Sequence, residues 1–313
     1  MHWMIKAGIQ NSVALLPDPL SNQVYYAIQR RFGGLRSITV EDKLRQGIEV
    51  AERAQRNGLR VAGARVLEVG TGRRLNLPLS LWLQGADEIT TVDLNPYLRP
   101  ELIQEDLRQI RDERPQVEAL FGERLDAGRL QALLALAEDF DLDRLLDTCS
   151  IRYLSPGDAA SIDLEAGSID LHVSYEVFEH IPGPVLEAIL REGGRLLSTD
   201  GLLIHYIDFS DHFSHSDPGI GPINFLQYGE RRFGLLAGNR YMYMNRLRLD
   251  DFHRLYARAG QHVLEQVAAP DACTAERLEQ GQPRLAPAFA AKSPDILATL
   301  NAWLVSRPAG ATA

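Results

Sequence analysis

Cysteine, basic charge and long apolar runs are scarce in this sequence of 313 residues. Its two cysteines, Cys149 and Cys273, lie far apart, with no cysteine or histidine beside them at metal-ligand spacing. The pattern signals neither a disulfide framework nor a zinc site, and we expect a protein of the reducing cytoplasm. Acidic residues outnumber basic ones by 42 to 33, a formal net charge of -9, which disfavours the broad basic face that nucleic-acid binding requires.

Long apolar stretches are also missing, so no membrane span is predicted. The first twenty residues hold one lysine and an apolar run broken by Gln10, Asn11 and Ser12, which is too short and too polar for a signal peptide. What the chain does have is an ordinary globular composition, 45% hydrophobic and 24% charged. Its length predicts one large domain with additions.

Two hydrophobic periods divide the chain near residue 60. Before it, one predicted helix is capped by Ser21 and stopped by Gly33, and another is capped by Thr39 and ends at Gly58. Residues 1–60 are therefore expected to form a helical cap. After it, short apolar runs alternate with helical patterns, which predicts a doubly wound parallel sheet. The expected strands are residues 65–69, 88–93, 151–154, 169–174 and 202–208, with 261–268 and 300–308 as a terminal hairpin at the sheet edge.

Two connections of this sheet, residues 97–147 and 209–247, are too long for ordinary loops. The apolar positions of the first at helical spacing are Ile103, Leu107, Ile110, Leu130, Leu133, Leu134 and Ala137. They predict an inserted helical pair. The second is rich in aromatic residues, which is typical of a substrate lid and equally of the core of a small subdomain. We therefore expect a main domain over residues 61–313, with a helical insertion at 97–147 and a lid insertion at 209–247 that close over the acceptor.

The first predicted strand ends in a glycine turn, VLEVGTGRR at residues 66–74. Gly70 and Gly72 let a ligand approach the backbone closely. A dinucleotide fingerprint would place a third small residue just beyond, where this sequence has arginine and leucine, so a pyrophosphate is disfavoured. Asp93, at the end of the second predicted strand, is positioned to accept hydrogen bonds from ribose hydroxyls. These residues predict a ligand with a ribose and without an essential pyrophosphate.

That combination resembles the class I S-adenosylmethionine-dependent methyltransferases. VLEVGTG looks like their glycine loop, SPGDAASI at 155–162 resembles the turn after their third strand, and SIDLHVSYEVFEHIP at 168–182 is similar to their fourth strand and the following turn. The likeness spans roughly residues 64–208 and departs from the family at Arg73-Arg74 and in the long helical insertion. It implies a Rossmann-like fold with a seven-stranded, mostly parallel sheet and S-adenosyl-L-methionine as cofactor.

The resemblance also implies which residues hold the cofactor. The glycine loop would pass under the methionine and ribose parts, Asp93 would bind the ribose, and Asp158 with the backbone of Ala159 would address adenine. The expected cofactor contacts are Glu68, Gly70, Thr71, Gly72, Asp93, Leu94, Asp158, Ala159, Ser174 and Tyr175.

In YEVFEH, the residues Glu176, Glu179 and His180 stand at i, i+3 and i+4. On a helical turn all three would project on one side, where two carboxylates and an imidazole suit a magnesium-like divalent ion. Some methyltransferases with an E-x-x-E-H run use it in this way, and many similar sequences carry Glu-His there without a metal. Both alternatives stay open.

A second polar cluster follows the fifth predicted strand, IHYIDFSDHFSHSD at 204–217. A histidine there is suited to take the proton from an attacking hydroxyl group. His205 alternates with the strand and is expected to be buried, so His180, Asp208 and His212 are the predicted catalytic residues. Further along, Arg246 and Arg248 predict either an anion site or a solvated helix start.

The sequence thus predicts a methyltransferase that acts on an oxygen of a small molecule, with a sugar or glycan precursor favoured by the aromatic insertion and the carboxylate-rich cluster. RNA ribose methylation is the runner-up, since E-x-x-E-H also occurs in ribose-methylating enzymes, but the acidic charge opposes it. A nicotinamide-dependent oxidoreductase and a non-catalytic cofactor-binding protein are the alternatives from other classes. The oligomeric state is not predicted.

Overall fold

A seven-stranded sheet forms the centre of the computed structural model, which describes residues 1–35 and 39–310. The strands are β1 (Arg65–Val69), β2 (Glu88–Val92), β3 (Ile151–Leu154), β4 (Ile169–Tyr175), β5 (Leu197–Asp208), β6 (Gln261–Val267) and β7 (Asn301–Pro308). Their order is β3-β2-β1-β4-β5-β7-β6, in which β7 runs antiparallel to both neighbours and the other adjacent pairs are parallel. The predicted Rossmann-like, mostly parallel sheet is confirmed.

Helices cover both faces of this sheet, as parallel strands require. They are α1 (Trp3–Ala14), α2 (Asp18–Phe32), α3 (Val40–Arg56), α4 (Asn76–Leu83), α5 (Pro100–Asp112), α6 (Arg114–Phe121), α7 (Ala127–Glu138), α8 (Leu142–Thr148), α9 (Gly183–Leu196), α10 (Glu230–Ala237), α11 (Leu249–Arg258), α12 (Ala272–Glu279) and α13 (Pro294–Ala298). Among the described residues, no helix is long and apolar enough to cross a membrane.

The sheet differs from the prediction in two places, the start of β5 and the connection between β6 and β7. β5 begins at Leu197, because Gly201 lies within it at an irregularity where the pairing shifts from Ile169–Leu197 to Leu171–Leu202. A Cβ at Gly201 would approach the Asp170 carbonyl oxygen to 3.1 Å, so glycine suits this shift. β6 and β7 do pair antiparallel, but α12 and α13 lie between them in the chain and β7 sits inside the sheet. The predicted antiparallel pair at the sheet edge is therefore confirmed, but its connection contains two helices instead of a short turn.

The predicted N-terminal cap contacts two different parts of the molecule. α3 buries Leu44 and Ile48 in the main core and packs on α4, where the Ser80 hydroxyl donates to the Leu44 carbonyl at 2.6 Å. α1 instead packs on α10, and the Trp3 ring lies 5.5 Å from that of Phe213. Of the cap, residues 36–38 fall outside the described part.

Ser21 is not a helix cap, contrary to the prediction. α2 begins three residues earlier, after Pro17, and Ser21 lies buried in its first turns. Its hydroxyl donates to the Val13 carbonyl at 2.7 Å and lies 2.6 Å from the Tyr241 hydroxyl oxygen. The Ser21 hydroxyl therefore joins α1, α2 and the second insertion instead of capping a helix.

The first insertion contains four helices, α5 to α8, rather than the predicted pair. The additional helices are α6, which follows α5 directly with Pro115 in its first turn, and the short α8. Ile103, Leu107 and Leu133 are buried, as their helical spacing predicted, and join the same core as α3 and α4. The insertion is thus part of the main body of the protein.

The aromatic residues of the second insertion mostly form a separate core. Phe213, Phe225 and Phe233 pack with Trp3 and Phe289, and each is less than 9% exposed. Of the two alternatives left open, the core of a small subdomain describes these side chains, because a lid would need them facing a cavity.

Candidate active site

The chain leaves β1 through a turn that favours glycine at two positions. Gly70 has φ +91° and Gly72 has φ +66°, in the region that L side chains rarely adopt. A Cβ at Gly70 would also lie 2.5 Å from Cγ2 of Val177, which follows β4. The Gly70 N–H donates to the Val92 carbonyl at 2.8 Å, so the turn is held against the end of β2.

Asp93 joins the three loops at this edge. Its carboxylate accepts hydrogen bonds from the N–H groups of Gly72 and Asn95, both at 2.9 Å. Its backbone N–H donates to Leu154 at 3.0 Å and its carbonyl accepts from Gly157 at 2.9 Å. Burial raises the pKa of Asp93, while the two amide bonds oppose that rise. Each carboxylate oxygen keeps a lone pair for a further donor.

Glu68 lies beneath the glycine turn and is only 5% exposed. It accepts a hydrogen bond from the Thr91 hydroxyl, whose oxygen is 2.5 Å from that of Thr71. Burial raises the pKa of Glu68 to about 8, with a smaller contribution from the charge of Asp93. This side chain therefore supports the turn from the interior.

The remaining predicted cofactor residues differ in accessibility. Leu94 is 71% exposed and Asp158 is also exposed, its Oδ1 accepting from the Ala160 N–H at 2.9 Å, whereas Ala159 is buried. Ser174 is fully buried with no partner for its hydroxyl among the described residues. Tyr175 points away from this group and stacks on Tyr206, 4.5 Å between ring centres, against the α3 side of the sheet. We call the ends of β1 to β3, with loops 70–72, 93–95 and 155–160, the glycine edge.

The E-x-x-E-H run is not helical in the way the spacing assumed. Glu176 has φ +56° and only residues 178–180 form a short 3₁₀ turn, so the i, i+3, i+4 argument fails. Ligand atoms of Glu179, His180 and His212 all lie within 4.8 Å of one another, and Glu176 does not belong to this group. His212, predicted as a base, thus takes the position expected for Glu176.

Glu179 and His180 face each other without a hydrogen bond. Glu179 is 2% exposed, neither carboxylate oxygen has a partner within the described chain, and burial raises its pKa well above the usual value. The His180 Nδ1 lies 2.8 Å from the Tyr243 carbonyl, so Nδ1 carries the proton and Nε2 presents a lone pair. That Nε2 is 3.9 Å from Glu179 Oε1, too far for a direct hydrogen bond.

Asp208 and His212 form a hydrogen-bonded pair at the end of β5. The distance between Oδ2 and Nε2 is 3.1 Å, and the Ser210 N–H donates to the other oxygen of Asp208 at 2.7 Å. Burial alone would raise the pKa of Asp208, but these bonds outweigh it and the pKa lies below its ordinary value. The rings of His180 and His212 are 5.0 Å apart. We call residues 176–180 and 208–212 the histidine edge.

His205 is fully buried, as its alternation predicted. Its Nε2 lies 2.8 Å from Nδ1 of His172 and its Nδ1 lies 2.5 Å from the Tyr256 hydroxyl. Burial holds the pKa of His172 at about 4. These neutral rings belong to the core between the sheet and α11.

Both predictions for Arg246 and Arg248 are wrong. Neither is solvated or free for an anion, because they are 5% and 0% exposed. Arg248 donates to the carbonyls of Phe209 and Leu297 at 2.6 and 2.8 Å, and Arg246 donates to Phe225 and to Glu230. They connect the second insertion to the sheet.

Two surface cavities, of about 230 and 220 Å³, are lined by other residues. One lies beside Ile220, Thr274 and Arg277, and the other beside Pro184 and Arg254. Neither includes a residue of the glycine edge or the histidine edge. We therefore build the candidate site on the two edges themselves.

A family model described as a methyltransferase domain matches residues 131–205, from α7 into β5. Over these residues the chain is similar to a methyltransferase domain, in line with its resemblance to the class I S-adenosylmethionine-dependent methyltransferases. The predicted methyltransferase class is confirmed, and the match supports S-adenosyl-L-methionine as cofactor. The curated proteins include none that matches this methyltransferase.

Solved structures similar to this methyltransferase include methyltransferases with different substrates. An S-adenosylmethionine-dependent methyltransferase from Clostridium acetobutylicum is 12% identical, with 92% of this chain and 99% of that chain covered and a TM-score of 0.46. Magnesium protoporphyrin IX methyltransferase from Synechocystis is 14% identical, with 91% and 94% covered and a TM-score of 0.45. Geranyl diphosphate C-methyltransferase from Streptomyces coelicolor is 11% identical, with 84% and 80% covered and a TM-score of 0.45.

Proposed function

We propose that this methyltransferase methylates a hydroxyl oxygen of a small molecule, with a sugar or glycan precursor as the favoured acceptor. The observation that carries the proposal is the Asp208–His212 pair at the carboxyl end of β5. Because the carboxylate holds the imidazole proton on Nε2, Nδ1 is left to accept a proton from a hydroxyl group. Methylation of a neutral hydroxyl needs such a base, since its proton must leave as the new bond forms.

The reaction is a direct displacement. The acceptor oxygen bonds to the methyl carbon as the carbon–sulfur bond breaks, the sulfonium becomes the thioether of S-adenosylhomocysteine, and the hydroxyl proton passes to Nδ1 of His212. Asp208 acts through His212 and is a positioning residue. Alignment of oxygen, carbon and sulfur supplies most of the reduction in the barrier.

The carboxylates around the pair favour an acceptor rich in hydroxyl groups. These are Glu176, Glu179 and Asp208, and the negative charges of Glu176 and Asp208 both raise the pKa of Glu179. Hydroxyl groups donate hydrogen bonds to carboxylates, and a sugar presents several on neighbouring carbons. The aromatic insertion gives no further support, because its rings are buried in the subdomain core.

For the cofactor we propose the contacts named from the sequence, divided by accessibility. Asp93 binds the ribose hydroxyls, the turn Gly70–Gly72 passes under the methionine part, and Leu94 and Asp158 lie along adenine. Ser174 offers its unpartnered hydroxyl from below. Glu68 and Thr71 support the turn from below. Ala159 contributes its backbone, and Tyr175 does not contact the cofactor.

A divalent cation at Glu179, His180 and His212 is a second proposal for the histidine edge. The donor set fits a cation, because two carboxylate oxygens lack partners and a neutral imidazole presents its lone pair toward them. Two imidazoles and one carboxylate suit manganese, iron, cobalt or zinc better than magnesium, which prefers oxygen ligands. When bound, such an ion would lower the pKa of the acceptor hydroxyl. Asp208 then orients a metal-binding histidine instead of a base.

Two measurements test these proposals. The purified chain is incubated with methyl-labelled S-adenosylmethionine and a panel of sugars, nucleotide sugars, catechols and short RNAs, and products are identified by mass spectrometry. We expect a labelled methyl ether on a sugar; a product on a nitrogen or carbon atom contradicts the proposal. Metal analysis of the protein and turnover after EDTA treatment then distinguish a mechanism with a bound cation from one in which His212 is a metal-free base.

A further inference from the structure

Four arginines meet where α2 and α5 pack beside the glycine edge, and only two of them have partners. Arg30 donates to both oxygens of Glu105, at 2.9 and 2.5 Å. Arg74 forms an ion pair with Asp106 and donates to the Leu102 carbonyl at 2.9 Å. Glu105 and Asp106 of α5 are therefore occupied by these two arginines.

Among the described residues, Arg73 and Arg99 have no ion-pair partner within 4.0 Å, and the carboxylates whose pKa values their charges lower, Asp93 and Glu101, lie farther away. Within residues 1–35 and 39–310, neither side chain forms a hydrogen bond or an ion pair shorter than 4.0 Å. Both are half-buried, and Arg73 Nη1 and Arg99 Nε are buried without an acceptor. The nearby Glu101 accepts instead from the Tyr26 hydroxyl at 2.8 Å. Buried guanidinium N–H groups without acceptors are unfavourable.

The two arginines are held together by the fold. The Arg99 N–H donates to the Arg73 carbonyl at 3.2 Å. Both guanidinium groups lie over the ring of Tyr26, with Cζ at 5.4 Å for Arg73 and 4.9 Å for Arg99, and Arg73 also lies 5.1 Å from the Tyr97 ring centre. Burial and the charge of Arg99 both lower the pKa of Arg73. A protein of net charge -9 thus keeps two like charges close to one another.

We propose that Arg73 and Arg99 form a binding site for an oxyanion, a carboxylate or phosphate, carried by a molecule bound beside the glycine edge. A planar guanidinium binds such groups through paired N–H donors, and the tyrosine rings hold both forks in place. Arg73 directly follows Gly72, whose N–H contacts Asp93, so the anion lies next to the cofactor site. Its source is the amino-acid carboxylate of the cofactor or an anionic group of the acceptor.

Binding measurements on the full chain test the site without requiring turnover, so the result is independent of the acceptor proposed above. Calorimetry compares S-adenosylhomocysteine, 5′-methylthioadenosine, which lacks the amino-acid part, and pyrophosphate added to the S-adenosylhomocysteine complex. The variants are Arg73→Gln and Arg99→Gln. The matched control is Arg232→Gln, an exposed arginine that also stacks on a tyrosine ring, 4.9 Å from Tyr228, but lies in the second insertion.

The two sources give different results. If the anion is the cofactor carboxylate, both variants lower the affinity for S-adenosylhomocysteine at least tenfold. Their affinity for 5′-methylthioadenosine stays within twofold of wild type. If it belongs to the acceptor, both nucleosides bind unchanged, and the wild type but neither variant binds pyrophosphate. The proposal is overturned if the arginine variants match wild type and Arg232→Gln for all three probes. Should Arg73→Gln fail to fold, Arg99→Gln alone gives the decision.

Discussion

The glycine edge and the histidine edge lie side by side on one sheet and are built in opposite ways. At the glycine edge, backbone groups satisfy the acidic side chains: the Asp93 carboxylate accepts from two amides, and its own amide and carbonyl bond to neighbouring loops. At the histidine edge, Glu179 is buried with no partner for either oxygen, and the lone pair of His180 points toward it. The first edge is complete without a ligand, and the second is not.

This difference separates binding from chemistry. A cofactor must be held in one orientation. A rigid turn held by backbone hydrogen bonds does this with little loss of conformational entropy on binding. A group that takes a proton or holds a cation must instead keep an unused lone pair, and burial of such groups is tolerated mainly at functional sites. Changes at the histidine edge should therefore affect rate, and changes at the glycine edge should affect stability and cofactor affinity.

The largest effect is expected from His212→Asn. Loss of the base, or of one cation ligand, should reduce kcat by about 10²- to 10⁴-fold, the usual contribution of a positioned acid or base. The dissociation constant of S-adenosylhomocysteine should change by less than twofold, because His212 is outside the glycine edge. Steady-state kinetics with the acceptor from the screen and calorimetry provide the two values.

His215→Asn is the matched control for that substitution. His215 belongs to the same loop, 3.9 Å from Asp208, and its Nε2 lies 2.9 Å from the Ser210 hydroxyl. We expect its kcat to stay within a few-fold of wild type. Equal losses in both variants would show that the loop, and not the His212 ring, is what matters.

Gly70→Ala should be the most destabilising single change at the glycine edge. Alanine would have to adopt φ +91° and place its Cβ 2.5 Å from Val177, so strain and a steric clash add. Gly58→Ala separates the two terms, since Gly58 has φ +88° with no atom within 4 Å of an added Cβ. We expect the free energy of unfolding in urea to fall by about 3 kcal/mol for the first and about 1 kcal/mol for the second. Equal values would mean that Val177 moves freely.

The glycine edge could be predicted from the sequence because its signals are local. Two glycines after an apolar strand and a carboxylate ending the next strand are read along the chain, and the positions of the strands followed from the alternation of hydrophobic patterns. The histidine edge was predicted only in part. Glu179, His180 and His212 were identified, but grouping them requires knowing that Glu176 adopts φ +56°, which ends the assumed helical turn.

The hydrogen-bond partners of buried side chains could not be predicted from the sequence for a related reason. Arg246 and Arg248 have the same local sequence signal as surface arginines, and only the fold shows that they bond to carbonyl groups from distant segments. Ser21 matched a capping pattern because the pattern cannot distinguish a hydroxyl at a helix end from one that contacts another helix. The four-helix form of the first insertion likewise depended on short helices whose stability comes from packing.

Glu68→Gln tests whether the support beneath the glycine turn is a neutral carboxyl. With a pKa of about 8 in the folded protein, against an ordinary value of 4.5, Glu68 stabilises the fold most below pH 4.5, and this contribution is lost as the pH rises toward 8. Glutamine resembles the protonated form and does not titrate. Between pH 5 and 8, the free energy of unfolding of wild type should therefore decline relative to the variant by about 3 kcal/mol. Parallel curves in urea titrations would mean that Glu68 is ionised beneath the turn.

Asp93→Asn should have the smallest effect of the series, and it tests the binding role of the glycine edge most directly. The amide group removes the charge and one acceptor while keeping the shape, so affinity for S-adenosylhomocysteine should fall by about 10- to 100-fold, the loss of a charge-assisted hydrogen bond of roughly 1.5 to 3 kcal/mol. Asp158→Asn, an exposed carboxylate at the same edge, should change affinity by less than threefold, because solvent screens its charge. Calorimetry at one pH gives both values, while kcat at saturating cofactor should stay near wild type for each. A large loss of kcat in Asp93→Asn at saturation would show that the two edges are not independent, since the carboxylate would then contribute to the transfer step as well as to binding.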